Sequence, residues 1–202
     1  MGGWPKRALD LAVAVPATVV LSPVMLGLGV AVRLALGKPV LFRQQRPGFN
    51  AEPFTIFKFR SMTDACDAGG RLLPDAERLT GFGRLLRRTS LDELPELLNV
   101  LRGDMSVVGP RPLLMQYVGR YSPRQSLRHA AKPGITGWAQ VRGRNELDWA
   151  AKLELDAWYV EHQSLALDLK IIALTIWTVL SGRGISAPGT ATAEEFMGST
   201  NR

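Results

Sequence analysis

Twenty-two consecutive residues without a charge, Leu11 to Val32 (LAVAVPATVVLSPVMLGLGVAV), constrain this chain more than any other stretch in it. About 20 apolar residues suffice to cross a bilayer, so a run of this length belongs in a membrane. The rival reading is a secretory signal with Lys6 and Arg7 as its basic front. The run is too long for an ordinary signal core, and Arg33 and Lys38 follow it without a convincing cleavage site. Two prolines interrupt it, Pro16 and Pro23, and Ser22-Pro23 falls at its middle. Proline inside a helix deletes a backbone hydrogen bond and bends the axis. Basic residues flank both ends, and the positive-inside rule assigns both flanks to one side. The expectation is therefore a re-entrant helix, broken at Ser22 and Pro23, with residues 1–36 as the anchor and 37–202 as a domain on one face of the membrane.

That second part is long enough for a single core. Lys and Arg outnumber Asp and Glu by 25 to 18, a net charge of +7, which suits an acidic partner: nucleic acid, anionic lipid or a phosphorylated substrate. One cysteine, Cys66, excludes a disulfide framework, and His129 and His162 lie too far apart for zinc spacing. His129 could serve as a catalytic base, but a lone histidine in a basic helix is more often structural. Val40–Phe42 and Pro53–Phe59 read as short strands around a Pro47-Gly48 turn, with Lys58 and Arg60 on one face and Phe57 and Phe59 on the other. Residues 64–81 read as a mobile polar connector. Residues 113–119 and 122–130 read as short basic helices, and Pro133–Val141 as a turn and a short strand. Residues 147–163 have helical spacing, with Leu147, Ala151, Leu155 and Trp158 on one stripe and acidic residues opposite. The apolar run from Leu165 to Leu180 suits a helix lying in the membrane interface, and the tail from Gly182 reads as extended. The fold class is α+β: a helix–break–helix anchor and a mostly helical body with short strands and interface helices.

The chemistry concentrates in residues 87–112, RRTSLDELPELLNVLRGDMSVVGPRP. Proline is tolerated in a first helical turn, so Pro95 places the helix start near Leu91 or Asp92, and Gly103 ends it. Asp92 would then stand at a helix N-terminus, where free N–H groups and the dipole favour phosphate, with Arg87, Arg88 and Arg111 converging on the same anion. The plainer alternative is a capping box, because Ser90-Leu-Asp-Glu93 fits that pattern.

The run resembles the signature of the bacterial sugar transferases, the monotopic polyprenyl-phosphate phosphoglycosyl transferases. The resemblance rests on Ser90-Leu-Asp-Glu-Leu-Pro95, Asn99-Val-Leu101, Gly103-Asp-Met-Ser106 and Val108-Gly-Pro-Arg-Pro112. It extends to Gln44-Gln-Arg-Pro-Gly48, Phe57-Lys-Phe-Arg-Ser-Met62, Pro133-Gly-Ile-Thr-Gly-Trp-Ala-Gln-Val141 and Gly143-Arg-Asn145. The chain departs from the family at Asp75-Ala-Glu-Arg78, where an Asp-Pro-Arg is usual, and at Arg142, where a small polar residue is usual and an extra cation would bear on sugar preference.

The resemblance implies a re-entrant helix broken at a Ser-Pro pair and transfer of a sugar 1-phosphate from a UDP-sugar to polyprenyl (undecaprenyl) phosphate, with UMP leaving. It implies Asp92 as the nucleophile of a covalent phosphosugar intermediate and Glu93 as general base. Lys58, Arg87, Arg111 and Arg144 would bind substrate phosphates, and Mg²⁺ would be held by Asp92. The expected partners are the UDP-sugar, the polyprenyl phosphate and membrane lipid, without nucleic acid, and a homodimer is left open. The expected location is the cytoplasmic face of the bacterial inner membrane. The charge alone suggests a second function, a membrane-tethered binder of nucleic acid or anionic lipid. Such a binder would carry a lysine-rich stripe or an aromatic platform, whereas the cations here cluster around carboxylates and Gly-Pro turns. In a third reading the protein is a structural membrane adaptor in which Asp92 and Glu93 merely cap a helix.

Overall fold

The computed structural model describes residues 3–143, 147–181 and 195–198. The apolar run lies within one helix, α1 (Trp4–Leu36), which carries Pro5 in its first turn and is closed by Gly37 at φ +78°. Its 33 residues, at about 1.5 Å each, make a rod of about 50 Å, well over the ~30 Å of bilayer hydrocarbon. Where two helices around a break are expected, the structure has one helix with Pro16 and Pro23 inside it. A local bond explains how Pro23 is accommodated. Lacking an N–H, Pro23 leaves the Val19 carbonyl without its helical donor, and the Ser22 hydroxyl donates to that carbonyl at 2.8 Å.

β1 (Leu41–Pro47) and β2 (Pro53–Phe59) form the expected hairpin, antiparallel, with Phe42 opposite Lys58 and Arg43 opposite Phe57. The 64–81 segment is more ordered than a free connector. It folds back through bridges between Met62 and Leu79 and between Cys66 and Leu72, and includes a helical turn, α2 (Asp75–Arg78). Next come α3 (Gly81–Arg88), capped by Thr80, a three-ten turn at Leu91–Glu93, and α4 (Glu96–Arg102). The expected continuous helix from residue 91 or 92 is thus divided. Ser90 is left-handed at φ +56°, and Pro95 cannot donate into a preceding turn, so the regular helix starts only at Glu96. Gly103 ends α4 in the left-handed conformation, as its sequence position implies.

β3 (Ser106–Val108) pairs in parallel with β4 (Gly134–Thr136). Between them lie three-ten turns at Met115–Arg120, in place of the first expected basic helix, and α5 (Pro123–Ser126) with a complete capping box on Ser122. After β4 come α6 (Trp138–Arg142), α7 (Trp149–Glu161) and α8 (Leu165–Ser181). Helix α7 is rotated from the expected stripe: Leu153, Asp156, Ala157 and Tyr159 are its buried residues. The cause is an ion pair, because Asp156 turns inward to Arg128 at 2.8 Å. At the C-terminus, Phe196 is buried against Tyr117, Tyr121 and Trp149.

The main core gathers Ala14 of α1, Ile56 of β2, Leu97 and Val100 of α4, Val107 and Val108 of β3, Trp138, Tyr159 and Ile171. A second cluster seats Val32, with Leu28 and Leu36, against Phe59 and Leu86. Helix α1 therefore touches the same body near both ends. Polar contacts fasten the first end. Lys6 pairs with the fully buried Asp168 at 2.7 Å, Arg7 donates to the Val100 and Leu101 carbonyls at 2.6 and 2.8 Å, and Asp10 accepts from the Ser106 hydroxyl and the Val107 N–H. Arg7 thereby satisfies carbonyls that the end of α4 would otherwise leave open. Elsewhere α1 exposes Val19, Val20, Val24, Leu26, Val30 and Leu34, an apolar face suited to membrane association.

Candidate active site

Two backbone crossings fix the site. In the Val108–Pro112 turn, a Cβ on Gly109 would meet the Lys132 carbonyl at 2.2 Å, and one on Gly134 would meet the Gly109 nitrogen at 2.1 Å. These two glycine-rich motifs lie backbone against backbone, and only glycine permits that approach. The turn aims Arg111, whose own carbonyl is held by Arg128 at 2.6 Å. From the other side, Asn99 of α4 accepts the Phe57 N–H at 3.1 Å and donates to the Thr55 carbonyl at 2.7 Å. This fully buried amide pins β2 to α4 and so fixes Lys58 over the first turn of α4.

The capping box does not form. Ser90 makes no side-chain cap. Glu93 instead accepts from Lys58 at 2.8 Å and from both terminal nitrogens of Arg111. Burial alone would raise the Glu93 carboxyl, but Arg111 and Lys58 outweigh it and hold it far below the usual carboxylate range. The bond reciprocally raises Arg111. Asp92 behaves differently. It is 8% exposed and, among the described residues, its carboxylate takes no side-chain hydrogen bond or ion pair. Burial and then the neighbouring Glu93 charge push it up, while Lys58, Arg87 and Arg111 pull it down. The protein thus places two adjacent carboxylates in opposite conditions. Glu93 is tied to two cations, and Asp92 sits within their field with its oxygens open.

The structure brings Asp92, Glu93, Lys58, Arg87 and Arg111 together; Arg87 reaches across to the Ser61 hydroxyl at 2.9 Å. Arg88 is exposed, and Arg144 lies outside the described residues. Arg142 stacks its guanidinium 4.2 Å over the Trp138 ring. Buried His129 is pushed down to about 4 by burial and by Arg128, so it is neutral at physiological pH, in keeping with a structural role. Three residues to which the sequence assigns no role also belong to the site. Glu96, 2% exposed, pairs with Lys58 at 3.0 Å. Arg46 faces the same cleft. Arg128, paired with Asp156, supports Arg111. Arg46 stood inside a quoted motif, but no spacing rule marks Glu96 or Asp156.

The described residues contain no group of three or more His, Cys, Asp or Glu side chains able to hold a metal. With Glu93 engaged by two cations, the donor set fits Mg²⁺ only as an ion shared with substrate phosphates, with Asp92 as the protein ligand.

Removing Arg111 should leave Glu93 and the cleft without their bidentate cation and lower kcat/KM by about 10²–10³-fold. Arg102 instead stacks over Phe57 at 4.8 Å, so Arg102→Ala should change kcat/KM by less than about threefold. Steady-state kinetics giving equal losses would show that the turn has no special part.

A long apolar helix built into a small α+β body, beside a buried carboxylate set among cations, is the architecture of a membrane-associated transferase. The chain belongs to the bacterial sugar transferase family, which it matches over residues 1–182. It is similar to the uncharacterized sugar transferase EpsL of Bacillus subtilis, 54% identical over 96% of both chains. It is 42% identical to the exopolysaccharide production protein PSS of Rhizobium leguminosarum, across 89% of this chain and 97% of that protein. It is also 42% identical to the UDP-glucose:undecaprenyl-phosphate glucose-1-phosphate transferase of Escherichia coli, across 85% of this chain but only 39% of that longer protein.

Proposed function

We infer that this protein transfers a sugar 1-phosphate from a UDP-sugar to polyprenyl phosphate in two steps through Asp92. The observation that carries this is the buried Asp92 carboxylate, open among Lys58, Arg87 and Arg111. An Asp92 oxygen forms a bond to the sugar-bearing phosphorus of the diphosphate, and the bridging P–O bond breaks to release UMP. An oxygen of the polyprenyl phosphate then attacks the same phosphorus, and the acyl phosphate bond breaks to return the carboxylate. Attack of an anion on an anion needs charge neutralisation, and Arg111, Arg87 and Lys58 supply it. Mg²⁺, carried by the phosphates and ligated by Asp92, would add Lewis-acid polarisation. Both oxygens of Glu93 are taken by cations, which favours an orienting role for it over proton acceptance. A noncatalytic polyanion binder is disfavoured, because Lys58 and Arg111 are engaged by carboxylates. Uridine nucleotide release on mixing with a UDP-sugar panel and polyprenyl phosphate tests this reading. UMP should appear and should vanish in excess EDTA. No UMP with any UDP-sugar would overturn the function, and undiminished release in EDTA would overturn the metal.

The re-entrant placement of α1 is supported by contacts near both of its ends with one body. A spanning helix would hold those ends on opposite sides of the bilayer. The nucleotide sugar and the lipid phosphate must also meet on one face, which for a bacterial inner membrane is the cytoplasmic one. A cysteine replacing Gly3 in a Cys66→Ser background should resist an impermeant thiol reagent in intact cells and react after lysis. Labelling of intact cells would mean that the helix crosses.

A further inference from the structure

A cleft of roughly 360 Å³, counted with its open mouth, is lined by Arg46, Ile56, Lys58, Glu96, Arg111, Pro112 and Leu113, and shares Lys58 and Arg111 with the Glu93 cluster. Three of its walls are cationic. Arg46 spends its terminal nitrogens on Gln44 at 2.6 Å and on the Pro112 carbonyl at 3.4 Å, while its buried Nε has no partner among the described residues. Burial and the like charge of Arg111 both press on Arg46, lowering it from its ordinary value. Two guanidinium groups held this close with an N–H to spare are better satisfied by an anion between them. The remaining walls, Ile56, Pro112 and Leu113, are apolar and suit the first carbons of a lipid chain. At the polar end sits Glu96, with Lys58 facing it from β2, Glu93 from the three-ten turn, Arg111 from the turn after β3 and Arg46 from β1. Lys58 and Arg111 reach Glu93 as well, so the cleft and the Asp92 carboxylate share the same two cations.

The geometry points to this cleft as the seat of the acceptor's phosphate monoester, with Glu96 as the group that takes its proton. This rests on the two-step reading of Asp92. A monoanionic polyprenyl phosphate carries one proton that the diphosphate product lacks. As its oxygen bonds to the phosphorus held on Asp92, that proton passes to a Glu96 oxygen, the acyl phosphate bond breaks, and Asp92 leaves as a carboxylate. Burial, reinforced by Glu93 and opposed by Lys58 and Arg111, raises Glu96 to about 7. Phosphate monoesters lose their second proton near pH 6 (about 6 for phosphorylated side chains), so donor and acceptor are closely matched.

Two measurements test this. In an Asp92→Asn background, which cannot turn over, binding of a short-chain polyprenyl monophosphate in detergent is compared with binding of UDP-sugar and of inorganic phosphate. Adding Arg46→Met should weaken the lipid phosphate at least tenfold and UDP-sugar less than twofold, and Arg46→Lys should recover part of the loss. Inorganic phosphate, lacking the chain, should bind at least tenfold more weakly than the lipid. An equal loss for UDP-sugar would give the cleft to the nucleotide, and equal binding of inorganic phosphate would make it a general anion site; either overturns the assignment. In single-turnover kinetics, Glu96→Gln should slow transfer to the lipid phosphate by ~10² or more and keep the UMP burst within about threefold. The wild-type transfer rate should pass through a maximum between about pH 6, where the lipid phosphate loses its proton, and about 7, where Glu96 loses its own, and the variant should lose the rising limb. Slowing of both half-reactions alike, with the pH limb intact, would reduce Glu96 to a structural role. If wild type forms no phosphosugar adduct, the two-step reading fails by itself, and the binding comparison still decides the cleft.

Discussion

Asp92→Asn should lower turnover by on the order of 10⁴-fold or more, the scale on which enzymes lose rate when a nucleophile is removed. The substitution keeps size and burial, so the loss is one of chemistry rather than of packing: an amide oxygen does not form the acyl phosphate. The same contrast should appear without an acceptor. Wild type incubated with a UDP-sugar alone should gain the mass of one phosphosugar by intact-protein mass spectrometry, and the variant should gain none. No adduct on wild type, together with kinetics that require both substrates bound at once, would replace the two-step mechanism with direct transfer. Glu93→Gln gives a useful comparison. Its loss should fall on both substrates' binding as Lys58 and Arg111 lose their tether, and the adduct should still form.

The second large effect is expected far from the chemistry. Asp168 has no exposure, accepts from the Tyr159 hydroxyl at 2.7 Å and pairs with Lys6. Asp168→Asn keeps the shape and removes the nearer counter-charge of the buried Lys6 ammonium, leaving it Asp10 at 3.4 Å; breaking a buried pair costs up to about 3–5 kcal/mol. Denaturant or thermal unfolding in detergent should register it. The double variant Lys6→Met with Asp168→Asn should recover part of the loss, because the ammonium is gone while Asp10 keeps its bonds from the Ser106 hydroxyl and the Val107 N–H. A single variant within about 1 kcal/mol of wild type would mean that Asp10 or water compensates the ammonium.

The hairpin at 41–59, the end of α4 at Gly103 and the gathering of Lys58, Arg87 and Arg111 around Asp92 were legible in the sequence. The first two depend on local chemistry, alternation around a Pro-Gly turn and a left-handed glycine, whereas the place of Lys58, outside the 87–112 run, follows only from the family resemblance. The division of the 91–102 helix was not, because a left-handed serine at position 90 is imposed by the tertiary setting and runs against its own preference. The rotation of α7 escaped for a related reason. An acidic residue on a helical stripe reads as solvent-facing, and only a partner 28 positions away, Arg128, turns Asp156 inward. Glu96 was passed over because it looks like any exposed glutamate in a first turn. Its isolation from water comes from β2 and the Val108–Pro112 turn closing over it, and no spacing in the chain records that.

The fastening of the first turns of α1 has a practical consequence for anyone preparing this enzyme. Lys6, Arg7, Asp10 and Ala14 complete an ion pair, the end of α4, the start of β3 and the main core. A membrane segment used only as a tether can be clipped away to yield a soluble fragment. Clipping this one would remove part of the interior and leave Asp168 and the carbonyls of Val100 and Leu101 unmatched. Material shortened to begin after Gly37 should therefore come out as aggregate, whereas detergent or lipid nanodiscs that keep the first 36 residues should yield folded protein.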